Sequence, residues 1–378
     1  MSVSYIPNWI KLCLWGQAAG RCQYTGCNCP LYRDDVTQAE FNSAYIAHII
    51  ADKPDGPRGD PVLSGQLRQD LSNLMLLCDV HHRLVDKIDV AGHPAPVLQE
   101  MKRTHEERIE LLTGIAEEKQ SHVLLYGARI GEHDAPLTMA KAQGAMVPER
   151  FPASARPICL GMKHGTYADA EAQYWSIERE HLRRQIQAVV RPLLADEAIE
   201  HLSIFALAPI PLLIELGRQL SDIPAADVFQ LHREPPDWVW HPQPTDFQFT
   251  VSESHVTDAT TVALVLSLSA TITPDRVHAV LGDDTAIWTV THASPGNDFL
   301  KSREQLQAFR RTVRKVFDDI KAKHGDGTQL HVFPAIPVSA AIEFGRVWMP
   351  KADLSFDVYD QNRATGGFTH ALTISQGH

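Results

Sequence analysis

His201-Leu-Ser-Ile-Phe-Ala-Leu-Ala-Pro-Ile-Pro-Leu-Leu-Ile-Glu-Leu-Gly-Arg218 aligns without gaps on Gln329-Leu-His-Val-Phe-Pro-Ala-Ile-Pro-Val-Ser-Ala-Ala-Ile-Glu-Phe-Gly-Arg346. Leu, Phe, Pro, Ile, Glu, Gly and Arg coincide, from Leu202/Leu330 to Arg218/Arg346. Each copy reads as a buried strand, a proline turn at Pro209 or Pro337, then a helix. The flanks agree. A strand-like run (Pro157 to Met162; Ala286 to Thr291), a polar loop and a basic helix precede each copy, and Val228 to Leu231 and Phe356 to Tyr359 follow as strands. Strands alternating with helices predict mostly parallel α/β sheets. Two similar halves, about 158–270 and 286–378, would form a cleft suited to a ligand with two similar halves.

This α/β pattern describes two fused Rossmann-like halves, and in such folds ligands sit beyond the carboxyl ends of the strands. The polar loop after Met162, with Lys163, His164, Tyr167 and Trp175, should face the cleft, as should the loop holding His292, Lys301 and Arg303. Lys163, Lys301 and Arg303 are candidates for phosphate contact, and Tyr167 and Trp175 for stacking on a base. Pro209 and Pro337 should lie at the same mouth. Glu215/Glu343 with Arg218/Arg346 read as structural. The chain has no GxGxxG and no Walker loop, so NAD and ATP are poor candidates.

The N-terminal third carries different chemistry. Four residues separate Cys22 from Cys27, and two separate Cys78 from His81, a set able to close around one tetrahedral structural zinc. Cys29 is an alternative for Cys22 or Cys27. Around these lie an amphipathic helix expected over Asn8 to Ala19, with Trp9, Leu12 and Trp15 at helical spacing, and a short helix over Asp35 to His48 leading into the strand Ala44 to Ile50. A turn-rich loop follows (Asp52 to Pro61). Leu71 to Cys78 then leads into a further helix, and Val97 to Ile115 is expected as a long one. His93 and His105 are expected at the surface. The Ala, Pro and Gly content of 131–157 suggests a boundary, giving domains over 1–120 and 158–378 with a connector over 121–157.

Composition limits the functions available. The 378 residues hold 44% hydrophobic and 21% charged residues, an ordinary soluble balance, with no apolar run long enough to span a bilayer and no signal-peptide pattern at the start. A cytoplasmic location is expected. Four of the six cysteines fall within the first thirty residues, which favours metal over disulfides. The formal charge of -11 argues against coating nucleic acid through bulk electrostatics.

Residues 20 to 90 resemble HNH endonucleases, with Ala47-His48-Ile49-Ile50 as the first element and Asn73, Leu76-Leu77-Cys78 and His81-His82 as the second. The resemblance implies a ββα-metal domain in which His48 is the general base, Asn73 orients it, and His82 binds a catalytic Mg²⁺ or Mn²⁺. Asp86, one helical turn after His82, is a second ligand or holds the His82 imidazole. Ala47 stands where the family often has a further metal ligand. Phe333 to Arg346 and their echo at 205 to 218 resemble the SAVED domain, a fusion of two CARF-like sensor folds. The whole chain is similar to HNH-SAVED effectors of CBASS anti-phage defence. That likeness implies a cyclic dinucleotide activator made by a nucleotidyltransferase-type synthase. It also implies ligand-induced homo-oligomers and cleavage of double-stranded DNA with little sequence preference. A zinc-binding regulator that does not cut, and a modification-dependent HNH restriction enzyme, are the alternatives.

Overall fold

The computed structural model describes residues 5–34, 36–129, 137–161, 167, 171–254, 256, 261–362 and 366–375. The chain divides into two compact units, Met1–Ala116 and Glu117–His378.

The first unit opens with α1 (Asn8–Gln17). Its buried stripe is Ile6, Ile10, Leu14 and Ala18, spaced by four, while Trp9 and Leu12 are exposed. The inward face is thus not the one expected: the branched aliphatics meet the strands, and only Trp15 of the expected trio packs on this core. No helix forms over 36–44; the Asp34 carboxylate instead accepts from the N–H groups of Val36 and Thr37 and closes a turn. Strands β1 (Tyr45–His48) and β2 (Leu74–Leu77) pair antiparallel, with Tyr45 opposite Leu77 and His48 opposite Leu74. A short α2 (Leu63–Leu67) lies between them in sequence. Cys78 caps α3 (Asp79–Arg83), which runs into a π-helical turn, Leu84–Ile88, before α4 (Ala95–Thr113). His93 and His105 are buried, unlike the expectation, because carbonyls distant in sequence or across a turn take up their ring N–H: Asp89 O lies 2.7 Å from His93 Nδ1, and Ala18 O 3.1 Å from His105 Nε2.

The second unit holds two sheets. One carries β3 (Gln120–Gly127), β4 (Phe151–Pro152), β5 (Ile158–Leu160), β6 (His201–Leu207) and β7 (Ala225–Val228), ordered β4-β3-β6-β7 with β5 also on β3. The other carries β8 (Phe249–Glu253), β9 (Thr261–Ser267), β10 (Thr285–His292), β11 (Leu330–Ala335), β12 (Phe356–Asn362) and β13 (Gly367–Ile374), in the order β13-β12-β11-β9-β10-β8. Helices α5 (Met139–Met146), α6 (Ala172–Gln185), α7 (Arg191–Ala195), α8 (Ile210–Leu220), α9 (Pro274–Leu281), α10 (Arg303–His324) and α11 (Val338–Val347) complete it.

Four parallel strands correspond between the sheets: β5-β3-β6-β7 and β10-β9-β11-β12. The central strands β3 and β9 precede the runs from which the halves were expected to start. Segment 121–157 is therefore not a connector, and β9, expected at the end of the first half, is the centre of the second. Their continuous apolar character follows from burial on both faces: Val123 to Tyr126 and Val262 to Leu266 are all buried.

The repeated stretches form the junction between the halves. Helices α8 and α11 cross so closely that a Cβ added at Gly217 would lie 2.0 Å from Ile342 O, and one at Gly345 2.0 Å from Ile214 O. Each glycine meets the backbone of the opposite helix at the repeat-equivalent isoleucine. The crossing thus has pseudo-two-fold symmetry, and glycine at both positions is what lets the helices touch.

Candidate functional site

In the first unit, the turn after α1 brings Cys22 back against the end of β2. Cys22 N–H donates to Cys29 O at 3.0 Å, and Cys78 N–H points at Cys22 Sγ at 3.4 Å. The sulfurs of Cys22, Cys27, Cys29 and Cys78 all lie within 4.8 Å of one another. A tetrahedral zinc with ~2.3 Å bonds to sulfur needs neighbouring sulfurs about 3.8 Å apart, and the Cys27–Cys29 separation is 3.5 Å. Four thiols fit such an ion. The converging set therefore contains Cys29 where His81 was expected. His81 sits beside it, Nδ1 3.1 Å from Cys78 Sγ, its ring stacked on Tyr24 at 4.0 Å. Burial pushes the Cys22 thiol far up and the Cys29 thiol to about 12. Such thiols keep their protons unless a cation displaces them.

His48, Asn73, His82 and Asp86 gather around the β1/β2 ladder and the helix that follows it. His48 is buried at the end of β1, with Nε2 2.9 Å from Arg68 O. A carbonyl only accepts, so Nε2 carries the proton and the neutral ring keeps its lone pair on Nδ1. The Asn73 side chain bonds to backbone beyond His48 and not to its ring. Its Oδ1 accepts from Ile50 N–H at 2.8 Å, and its Nδ2 donates to Ile50 O at 2.9 Å and Leu67 O at 3.2 Å. The carboxamide thus pins the backbone two residues beyond His48. On the helix, His82 stacks on Tyr45 at 4.7 Å, and its Nε2 lies 3.3 Å from Asp86 Oδ2. Burial alone would raise the Asp86 carboxyl; the His82 and Arg58 contacts outweigh it and hold the group below its ordinary value.

Arg58 went unnoticed in the turn-rich loop. It pairs with Asp86 Oδ1 at 2.5 Å. A divalent ion at His82 therefore fits only in part. Among the described residues, the only cluster of three or more potential metal-binding side chains is the thiol set.

The second unit redistributes the expected ligand contacts. Lys163 and His164 lie outside the described residues. Trp175 is 7% exposed within the main core, edge-on to Tyr174, so it packs rather than offers a stacking face. Tyr167 is half-buried against the same core. Pro209 and Pro337 cap α8 and α11, which places each repeat's turn at a helix N-terminus. Lys301 is committed to Asp298. Arg303 reaches Glu149 at 3.0 Å and Asp227 at 3.3 Å. His292 is buried, with Nε2 3.2 Å from Leu268 O. The repeated Glu and Arg form buried pairs, as read from the sequence: Arg218 with Glu215 at 2.6 Å, and Arg346 with Glu343 at 3.6 Å. Arginines from the preceding basic helices join both pairs, Arg179 with Glu215 at 3.5 Å and Arg310 with Glu343.

The model of the SAVED family, "SMODS-associated and fused to various effectors sensor domain", matches residues 182–374, half of the chain, from the end of α6 through β13. The chain belongs to the SAVED family. Among solved structures, a SAVED/CARF-domain containing Cap4 receptor of Acinetobacter baumannii, solved with the cyclic trinucleotide 2'3'3'-cAAA, is similar at 12% identity and a TM-score of 0.45. The match covers 74% of this chain and 56% of that receptor. The Cap4 receptor of Moraxella osloensis gives 12% identity and a TM-score of 0.40, over 74% of this chain and 54% of its own. This SAVED chain thus spans little more than half the length of the receptors it matches. No curated protein matches it.

Proposed function

We propose that this SAVED protein is a cyclic-oligonucleotide-activated DNA endonuclease of CBASS-type anti-phage defence, with an HNH effector in residues 1–116 and the sensor in the rest. The observation that carries the nuclease reading is the His48 imidazole, fixed through Nε2 by Arg68 O with Nδ1 left as the base. The sensor reading rests on the family match over the duplicated halves. The expected ligand is a cyclic dinucleotide from a nucleotidyltransferase-type synthase; a cyclic trinucleotide is the alternative size.

In the proposed reaction the chain's residues supply the base and its placement. His48 Nδ1 takes a proton from the attacking water, Arg68 O holds the imidazolium that forms, and Asn73 keeps the end of β1 in register. A Mg²⁺ or Mn²⁺ ion at His82 would neutralise charge on the scissile phosphate and the departing oxygen. The four thiols would hold a structural zinc that ties the turn after α1 to the start of α3. The negative charge of the chain makes a lone DNA contact weak. Ligand-driven homo-oligomers on one double-stranded duplex would add such contacts together.

His48→Ala in the full chain tests the reading. Loss of general-base catalysis should slow plasmid cleavage about 100-fold or more, while a cyclic oligonucleotide still raises the melting temperature of the variant. A variant that cleaves at the wild-type rate contradicts the assignment. A wild-type protein that binds DNA but never cuts it favours the regulator instead.

A further inference from the structure

Arg58 occupies a place that no motif assigns. Its backbone lies at φ 56°, in the left-handed region, and a Cβ on the adjacent Gly59 would fall 2.4 Å from Pro54 O. The loop is wound tightly enough to turn one long cation inward, and the Arg58 side chain is only 7% exposed. Its guanidinium reaches two elements at once. On the β1 side, Nε donates to Ile49 O at 2.7 Å and Nη2 to His48 O at 3.3 Å. On the helical side, Nη1 donates to Val85 O at 2.6 Å and Nη2 to Asp86 Oδ1 at 2.5 Å. A rigid fork with donors on both edges fixes the spacing between those backbones, which a single ammonium cannot do. Asp86 meanwhile has Oδ1 on Arg58 and Oδ2 beside His82, so each oxygen already faces a partner.

We propose that Arg58 is a positioning residue of the nuclease site: it clamps the strand that carries His48 to the helix that carries His82, and it commits Asp86 to orienting His82 rather than to coordinating the ion. The proposal rests on the nuclease reading.

The test compares the full-length wild type with Asp86→Asn, Arg58→Lys and Arg58→Ala, by calorimetric Mn²⁺ binding, by cleavage rate at saturating Mn²⁺, and by hydrogen exchange over residues 45–50 and 84–88. Asp86→Asn should lower Mn²⁺ affinity or saturated cleavage by about 10–100-fold, the loss expected when a residue that orients a metal-binding histidine is removed. Arg58→Ala should slow cleavage about 100-fold and raise exchange in both segments, and Arg58→Lys should not restore the rate. No loss of affinity or rate in Asp86→Asn would overturn the proposal, as would a loss of Mn²⁺ affinity well beyond about 100-fold, which would make Asp86 a ligand; that variant decides the matter if Arg58→Ala does not fold. Wild-type rates in Arg58→Lys would also overturn it. A wild-type protein that neither binds Mn²⁺ nor cleaves removes the nuclease reading itself, a result distinct from either variant failing.

Discussion

His201 shows how a single buried side chain makes this fold sensitive to acid. Burial and the nearby Arg150, Arg346 and Arg303 push its pKa down to about 4, against the pull of Asp227. Its Nδ1 lies 2.8 Å from Ser121 Oγ at the start of the central strand. The unfolded chain binds a proton near pH 6.5, so the folded state binds fewer protons between that pH and about 4. Stability contributed by the neutral ring is therefore complete above about 6.5 and is lost as pH falls to about 4, by on the order of 3 kcal/mol. Chemical denaturation of the wild type and His201→Gln across that range should show a flatter pH profile for the variant; parallel profiles contradict the assignment. His48, Asn73 and His82 were legible as residue types in order. Arg58 was not, because its role depends on a left-handed backbone and on carbonyls at Ile49 and Val85.

At the scale of elements, the α8/α11 crossing joins the two halves of the second unit, and the converging thiols of the first are the proposed zinc site. Gly217→Ala or Gly345→Ala puts a methyl into the opposing backbone, 2.0 Å from a carbonyl oxygen. Each should cost about 1–3 kcal/mol or more, read as a lower midpoint in denaturant, whereas Gly144→Ala, which meets nothing within 4 Å, should not. Equal midpoints for the three would show that the close crossing is not needed. For the thiols, the full chain should carry about one zinc, and Cys29→Ser should remove it more completely than His81→Ala; metal content by mass spectrometry decides, and the reverse order would restore His81 to the set. Spacing alone offered Cys29 as a substitute for Cys22 or Cys27 and not for His81, since only the folded turn shows which donors converge. The repeat was legible because seven identities align without a gap. Strand β3 was not, because the Ala, Pro and Gly that follow it resemble a linker and its second-half counterpart β9 shows no such alignment.

For the whole molecule, the family match makes the duplicated region a sensor, and the first unit supplies the chemistry proposed to answer it. Among the described residues no helix is long and apolar enough to cross a membrane. The duplication itself was legible in the sequence, and it matched the paired sheets and the shared helix crossing. The ligand contacts were less so, because Trp175, Lys301 and Arg303 belong to types that serve a core or an ion pair as readily as a nucleotide. Gating is the central claim, and plasmid cleavage with Mg²⁺, with and without a panel of cyclic di- and trinucleotides, tests it most directly. One cyclic oligonucleotide should convert a silent protein into one that degrades double-stranded DNA, and at ~100 times its dissociation constant it should add about 2.7 kcal/mol of apparent stability. Equal cleavage in the presence and absence of every ligand in the panel would contradict the account.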